Sequence, residues 1–308
     1  MLKSQEMRRL APEMDPLRLG SGWMPEDLGK PQVLIESTFG DSHPGSAGLD
    51  RLVEAARKGV RDGGGFGARY FCTDICDGES QGTDGINFSL VSREMIAGMI
   101  EIHANATPFD AGVFIASCDK GLPGNLIGLC RADIPSVVIP GGTMNAGPEL
   151  LTLEQLGAYS ARYERGEIGE EKLDWAKQNA CPSCGACSFI GTASTMQMMA
   201  EALGLALPGS ALLPAESGEL LNYAYEAGKR AAKMAGHPEL RPSKLLTRES
   251  FENAILVHAA VSGSTNCLLH LPAIAHEAGI EIDIDTFDRL HRQVPYILDL
   301  RPAGRWPA

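Results

Sequence analysis

The chain has 308 residues, of which 44% are hydrophobic and 21% are charged. This composition is that of a folded globular protein and excludes a disordered chain, which would combine few apolar residues with a high charge density. The net charge of −12 has the wrong sign for a protein that binds phosphate backbones, so we predict no nucleic-acid partner. The sequence shows neither a spanning apolar stretch of roughly 18 residues nor a signal-peptide core. We therefore predict a cytoplasmic protein with no membrane partner.

The chain divides into a leader and one larger domain. Residues 1–30 contain three prolines and little periodicity, so we predict an irregular leader there. In the domain, residues 31–308, short apolar runs alternate with segments of helical periodicity. The runs predicted as strands are PQVLIEST (31–38), ARYFCTDIC (68–76), AGVFIAS (111–117) and PSVVIPG (135–141). This alternation predicts an α/β fold with a mainly parallel sheet and helices on both faces.

The predicted helices connect and follow these strands. One begins at Leu49 and stops at Gly63–Gly65, and another begins at a Ser92 cap. The polar segment after the fourth strand predicts solvent-exposed helical structure, and two more helices are predicted nearer the C-terminus. The segments concerned are 152–178, 217–235 and 248–261. The final segment, 294–308, begins like a further element.

Three loops that leave predicted strands carry chemically distinctive residues. They contain CDG (76–78), CDK (118–120) and GGTMNAG (141–147). In a parallel sheet the carboxyl ends of the strands lie at one edge, where ligands bind. We therefore expect these three loops to converge on one pocket. His43, in the loop after the first strand, is placed to face the same pocket, whereas His258 and His270 are expected to be packed or surface groups.

The chain contains eight cysteines, and their grouping favours metal or redox chemistry over disulfides in a reduced cytosol. The strongest local pattern is CPSCGAC (181–187), with two successive CxxC spacings. Such spacing suits an iron–sulfur cluster or zinc. However, neither the fourth Cys of a ferredoxin run nor a second ligand pair of a zinc site is present. A small-residue turn with buried free cysteines remains the alternative.

Cys76–Asp77 and Cys118–Asp119 each place a soft thiolate beside a hard carboxylate. Thiolates select iron, whereas carboxylates suit Mg²⁺, so the two dipeptides together predict neighbouring iron and magnesium sites. Lys120 follows directly. It is either an exposed charge or, if burial makes the amine neutral, a base or the carrier of a covalent carboxylate.

The sequence resembles the N-terminal part of the iron–sulfur dehydratases of the dihydroxy-acid and phosphogluconate dehydratase family. The motifs occur in the family's order over about residues 31–295. They are CDGESQGTDGINFSLVSRE (76–94), SCDKGLPGN (117–125), PGGTMNAGP (140–148), CPSCGACSFIGTASTM (181–196), EALGLALPGSALLPA (201–215) and GSTNCLLHL (263–271). The leader and ESTFGDSHPGSAGLDRL (36–52) resemble the sugar-acid, xylonate-type members more than the branched-chain enzymes.

The resemblance implies a ligand set. Three cysteines would bind the cluster and leave one iron open to substrate, and Mg²⁺ would be held by two aspartates and a carbamylated lysine. Relatives with a [2Fe–2S] cluster use a cysteine of the first loop, which this chain lacks, so [4Fe–4S] is favoured. Cys181 and Cys184 would then be structural. The cluster ligands are Cys76, Cys118 and Cys187, and the magnesium ligands are Asp77, Asp119 and Lys120.

The implied reaction removes water from a 2,3-dihydroxy acid, such as the sugar acid xylonate, to give a 2-keto-3-deoxy acid. Branched-chain dihydroxy-acid or phosphogluconate dehydration is the alternative. The resemblance also implies a homo-oligomer and a C-terminal, barrel-like domain beyond residue 308 that carries the general base and a further magnesium carboxylate. We therefore expect the chain to hold the cluster half of a split site and to show little turnover alone. A hypothesis of another class is a non-catalytic iron–sulfur or zinc protein with a redox or regulatory role.

Overall fold

The computed structural model describes residues 2–308. Its centre is a sheet of four parallel strands in the order β2-β1-β3-β4. The strands are β1 (Gln32–Ser37), β2 (Phe66–Phe71), β3 (Ala111–Ala116) and β4 (Ser136–Pro140). β1, β3 and β4 are buried along their whole length, as their near-continuous apolar sequences require of strands covered on both faces. The predicted α/β class and parallel sheet are confirmed.

Helices account for most of the remaining chain. The helices are α1 (Lys3–Leu10), α2 (Met14–Gly20), α3 (Leu49–Asp62), α4 (Asp77–Ser80), α5 (Ser89–Ala106), α6 (Gly121–Ala132), α7 (Leu156–Glu164), α8 (Glu170–Asn179), α9 (Thr192–Ala202), α10 (Gly218–Met234), α11 (Pro242–Leu245), α12 (Arg248–Ala260), α13 (Cys267–Glu277) and α14 (Ile284–His291). No helix among residues 2–308 is long and apolar enough to cross a membrane.

Two apolar cores lie on opposite faces of the sheet. On one face, alternate residues of β1 such as Val33 and Ile35 pack with α3 and α10. On the other face, Leu34 and Phe114 join a larger core to which α5, α6, α9, α12, α13 and α14 contribute. The period-2 alternation of strand side chains assigns successive residues to the two cores. The prediction of helices on both faces is therefore confirmed.

The order of the strands creates one switch point. From β1 the chain crosses to β2 on one side, and it then returns to place β3 on the other side of β1. The loops that follow β1 and β3 therefore diverge and leave a crevice between them. In open parallel sheets this crevice is the usual place for a ligand.

The structure differs from the sequence prediction at both ends of the chain. Within the predicted irregular leader, 1–30, the described residues 2–30 contain α1 and α2. Ser4 of α1 is buried and donates through its hydroxyl to Asp110, at 2.5 Å, just before β3. This tertiary contact anchors a segment whose local periodicity is weak. α14 was not predicted, and after it residues 292–308 form neither a helix nor a strand. The division at residue 30 stays a prediction.

One helix boundary was predicted too late. α5 begins at Ser89 rather than at Ser92, because the 3₁₀ turn Asp84–Phe88 leads directly into it. Ser92 instead donates its hydroxyl to the Ser89 carbonyl within the first turn. The other predicted helices lie where their periodicity places them.

We expect the close packing of α3 and α10 to be sensitive to a single methyl group. A Cβ on Gly228 of α10 would collide with the backbone carbonyl of Ala56 in α3, and backbone cannot move aside as a flexible side chain can. Gly228→Ala should lower the free energy of unfolding by about 1–3 kcal/mol, measured by urea denaturation. Gly218→Ala is the matched control in the same helix, since nothing lies within 4 Å of its Cβ. It should change stability by less than about 0.5 kcal/mol. Equal effects of both variants would contradict the packing argument.

Candidate metal centre

Three potential metal ligands meet at the switch point. His43 lies in the loop after β1, Cys76 in the loop after β2 and Cys118 directly after β3. One donor atom from each lies within 4.8 Å of the others. His43 and Cys118 are buried, and Cys76 is half-buried. Three separate loops thus deliver a nitrogen and two sulfurs to one place.

The loop after β1 can approach Cys118 because it contains Gly45. A Cβ at this position would lie 2.9 Å from Sγ of Cys118 and 3.3 Å from Nδ1 of His43. These contacts are too close, and they could be relaxed only if one of the two donor atoms moved. Ser46 holds the loop in place by donating its hydroxyl to the Gly40 carbonyl at 2.9 Å. The backbone itself therefore forms one wall of the site.

The two close thiols have opposite acidities. The hydrogen bond from Cys118, together with the backbone N–H groups of Glu79 and Gly78, lowers the pKa of Cys76 to about 6, against the opposing effect of burial. The pKa of Cys118 is raised well above its ordinary value, because its proton is held by Cys76 and because burial and nearby acids disfavour a second negative charge. One thiolate with a hydrogen-bonded thiol is the expected metal-free state of such a pair.

Cys187 lies nearby, but outside this compact group of donor atoms. It belongs to the loop that precedes α9 and is half-buried. Burial raises its pKa, and the negative charges of Asp119 and Cys76 raise it further. Asp119 and Cys76 are therefore close enough for their negative charges to affect Cys187. Cys181 and Cys184 also lie outside the compact group. Cys181 is exposed, although partial burial of its thiol and the Cys76 charge raise its pKa as well, and Sγ of Cys184 lies 3.7 Å from Nη2 of Arg51.

The carboxylate of Asp77 forms an ion pair with Lys120. Nζ of Lys120 lies 2.7 Å from Oδ2 of Asp77, and the lysine is only 3% exposed. The hydroxyl of Ser89, at the start of α5, donates to Oδ1 of the same carboxylate at 2.6 Å. The interpretation of Lys120 as an exposed charge is therefore wrong. Because a buried charge requires a partner, Asp77 and Lys120 depend on each other.

Asp119 connects β3 with the N-terminus of α9. Its Oδ1 accepts a hydrogen bond from the backbone N–H of Ala193 at 3.0 Å, in the first turn of that helix, where free N–H groups favour an anion. Burial raises the pKa of Asp119, Lys120 opposes this shift, and the Asp77 carboxylate adds to it. The Asp77 carboxylate is thus close enough to Asp119 for its charge to act on it.

Three residues of the site were not identified from the sequence. The first is Asp74, which is 4% exposed and pairs with His43. The second is Ser89, which contacts Asp77 as described. The third is His270 of α13, which lies near Lys120. Burial and the charges of Lys120 and Arg93 lower the pKa of His270 to about 3, so this imidazole is neutral. The spacing of Asp74 two residues before Cys76 was the available signal for the first. Ser89 and His270 depend on tertiary contacts that local sequence does not reveal.

The donor set fits an iron–sulfur cluster with an adjacent divalent cation. Two thiols lie together with the buried imidazole of His43, whose Nδ1 has no hydrogen-bond partner among residues 2–308. Thiolates and imidazole are ligands of iron, and the separate carboxylates of Asp77 and Asp119 are hard ligands of the kind that Mg²⁺ prefers. Soft donors and hard donors thus occupy neighbouring positions.

The fold and the site define a doubly wound α/β protein with a candidate metal centre at its switch point. The chain belongs to the dihydroxy-acid/6-phosphogluconate dehydratase family, because the model of that family's N-terminal domain matches residues 30–308. The family resemblance stated from the motifs is thereby confirmed.

Curated relatives agree with this assignment. The chain is 42% identical over 285 residues to a dihydroxy-acid dehydratase of Moorella thermoacetica, covering 90% of this chain and 51% of the relative. It is 40% identical to dihydroxy-acid dehydratase 1 of Methanosarcina acetivorans, covering 92% of this chain and 52% of the relative. A dihydroxy-acid dehydratase of Halothermothrix orenii is 39% identical, with 91% and 51% covered. The chain spans about half the length of the curated relatives it matches.

The pKa values predict which thiol reacts first in the metal-free chain. Iodoacetamide should modify Cys76 at pH 7, with a rate that rises through a midpoint of about 6, because the thiolate is the nucleophile. Cys118 and Cys187 should stay unmodified. Cys130 is a buried control outside the site, with a pKa of about 12. Peptide mass spectrometry over pH 5–8 measures each site. A Cys76 rate that rises only above pH 8 would contradict the geometry.

Proposed function

We propose that this chain binds an iron–sulfur cluster and Mg²⁺ as part of a hydro-lyase that dehydrates a 2,3-dihydroxy acid to a 2-keto acid. The observation that carries the proposal is the convergence of Cys76 and Cys118 with Asp77 and Asp119 at one switch point. Family membership and the names of the relatives support the dehydratase class. The proposal concerns the activity of the whole protein, since the relatives are about twice as long as the matched chain.

The proposed cluster ligands are Cys76, Cys118 and Cys187. The first two thiols already lie together, and Cys187 is close enough for Cys76 to affect its pKa. A cluster of several irons bridges thiolates that need not contact one another, so the separation of Cys187 from the compact donor group is compatible with this role. We retain [4Fe–4S] as the proposed cluster.

Asp77 and Asp119 are the proposed Mg²⁺ ligands, and Lys120 directly follows Asp119 in the sequence. In the structure Lys120 is an ammonium that forms an ion pair with Asp77 and neutralises its charge. As a carbamate, formed when the neutral amine adds CO₂ and loses a proton, it would become an additional oxygen ligand. Carbamylation is supported by the burial of the amine beside two carboxylates, a place where a divalent cation can replace its positive charge.

The bound cofactors would supply Lewis acidity, which weakens a carbon–oxygen bond and stabilises charge on the substrate carboxylate. The residues of this chain hold those ions and shape the pocket. Ser89 and the N-terminus of α9 fix the orientations of Asp77 and Asp119. Arg93 donates to Nδ1 of the neutral His270 at 3.0 Å, which leaves a proton on Nε2. The buried Nε2 has no partner and is available to donate to a substrate oxygen.

The substrate is proposed at a coarser level than the sequence analysis suggested. The leader and the first-loop motif favoured sugar acids such as xylonate, whereas the relatives described above are named dihydroxy-acid dehydratases. Their names favour the alternative, branched-chain dihydroxy acids. We therefore propose a dihydroxy acid as the substrate class, with the branched-chain type ahead of the sugar-acid type.

Separate serine variants of the cysteines test the cluster ligands. After anaerobic reconstitution, Cys76→Ser, Cys118→Ser and Cys187→Ser should each lose most of the bound iron and acid-labile sulfide and the visible absorbance. Cys181→Ser and Cys184→Ser should keep them. Cys130→Ser is the matched control for a buried cysteine outside the site.

Each outcome of the serine series separates two hypotheses. Retention of iron in the first three variants, together with its loss in Cys181→Ser and Cys184→Ser, would support the local CxxCxxC site and contradict the proposal. Zinc in place of iron and sulfide in the unmodified chain would favour the non-catalytic alternative.

Substrate preference can be tested without turnover. A dihydroxy acid that binds beside the cluster should change the electron paramagnetic resonance spectrum of the reduced, Mg²⁺-loaded chain. We expect 2,3-dihydroxy-isovalerate to cause a larger change than xylonate at equal concentration, with a 2-keto acid lacking both hydroxyls as the control. A larger effect of xylonate would instead support the sugar-acid prediction. The variant Asp119→Asn should weaken the response to either compound, because it removes a proposed Mg²⁺ ligand.

A further inference from the structure

We propose that His43 is a fourth protein ligand of the metal centre and binds iron through Nδ1. The inference rests on the cluster proposed above and adds a nitrogen donor to its three thiolates. The observation that carries it is the position of the His43 donor atom within 4.8 Å of those of Cys76 and Cys118.

The hydrogen bonding of His43 selects the nitrogen that is free to bind. Nε2 lies 3.1 Å from Oδ1 of Asp74, a carboxylate that accepts, so Nε2 carries the proton and donates it. In the neutral imidazole Nδ1 then has its lone pair available. The side chain is 2% exposed, and Nδ1 has no hydrogen-bond partner among the residues described, 2–308. A buried polar atom without a partner is unusual in a folded protein.

Asp74 has the position of the outer partner that metal-binding histidines require. Such histidines donate their second nitrogen to a carboxylate, which fixes the tautomer and the plane of the ring. Asp74 is itself held rigidly, because it is 4% exposed and packed against the start of α6. A Cβ on Gly121 of that helix would collide with Oδ2 of Asp74. The absence of a side chain at Gly121 therefore makes room for the carboxylate.

The loop around His43 also restricts the imidazole. Backbone N–H groups of Ser46 and Ala47 donate to the His43 carbonyl at 3.2 and 3.0 Å, so the residue is part of a tight turn. Gly45 lets this turn approach Cys118, as described above. The imidazole is thus fixed from both ends, by its backbone and by Asp74, and a Cβ on Gly45 would contact both its Nδ1 and Sγ of Cys118.

This inference changes one implication of the family resemblance. The iron that three thiolates leave without a protein ligand would carry an imidazole in the substrate-free protein. Replacing an anionic donor by a neutral one makes a centre less negative, and histidine ligands raise the reduction potentials of iron–sulfur centres. His43→Cys should therefore keep the cluster and shift its reduction potential downward.

Nitrogen hyperfine spectroscopy tests the ligand directly. The reduced, substrate-free chain should show a strong coupling to ¹⁴N that changes to the ¹⁵N pattern when all histidines are labelled with ¹⁵N. This measurement uses the unmodified chain and does not depend on the folding of a variant. His43→Gln should abolish the coupling, whereas His258→Gln, a buried histidine outside the site, should leave it unchanged.

The possible failures are distinguishable. A reconstituted chain without iron and sulfide would overturn the proposed function, and this inference with it. A chain with a full cluster but no histidine coupling would overturn the inference alone. A coupling that survives in His43→Gln would assign the nitrogen to another histidine and would also overturn it.

Discussion

Negative charge collects in the crevice where β1 and β3 diverge, and the arrangement of the site depends on how that charge is balanced. Asp74, Asp77, Asp119 and the Cys76 thiolate approach one another in a largely buried place, with Lys120 as the nearest permanent positive charge. Burial makes each ionised acid costly unless it is paired. The raised pKa values of Asp74 and Asp119 are the direct expression of that cost. Cations bound by these donors would complete the balance, which is why a metal centre accounts for the arrangement better than packing does.

The sheet was predictable from the sequence because each strand is a local run of residues that can be recognised without knowledge of the rest of the fold. AGVFIA and SVVIP are short apolar runs whose burial follows from composition, and β1 is marked by its apolar centre Val33–Ile35, although its polar residues Gln32, Glu36 and Ser37 are buried as well. Helical periodicity marks α3 and α10 equally well. The leader was not predictable, since its helices are held by the long-range contact of Ser4 with Asp110. The start of α5 was predicted too late. The 3₁₀ turn before Ser89 leads directly into the helix, but no sequence signal marks this start as clearly as a serine cap would mark Ser92.

The site residues that lie in loops after the strands were predictable from the sequence. Cys76 lies in the loop after β2, five residues beyond Phe71, and Cys118 lies two residues beyond the end of β3. The parallel sheet predicts that both lie at the same edge, and the structure brings them together. Asp77 and Lys120 likewise lie in one ion pair, but their roles as magnesium ligands remain predictions. The approach of Cys187 depends on how the loop before α9 folds back towards β3, with Asp119 bound to the first turn of that helix. The sugar-acid preference came from loop resemblance, and the names of the relatives do not support it.

The closeness of Cys76 and Cys118 has a practical consequence for handling the protein. A thiolate and a thiol held side by side are the reactants of disulfide formation once an oxidant is present. Aerobic handling would therefore consume the two donors on which the proposed iron binding depends, and it would do so inside one chain, without a change in molecular mass large enough to show on a gel. Purification under argon with a reductant preserves them.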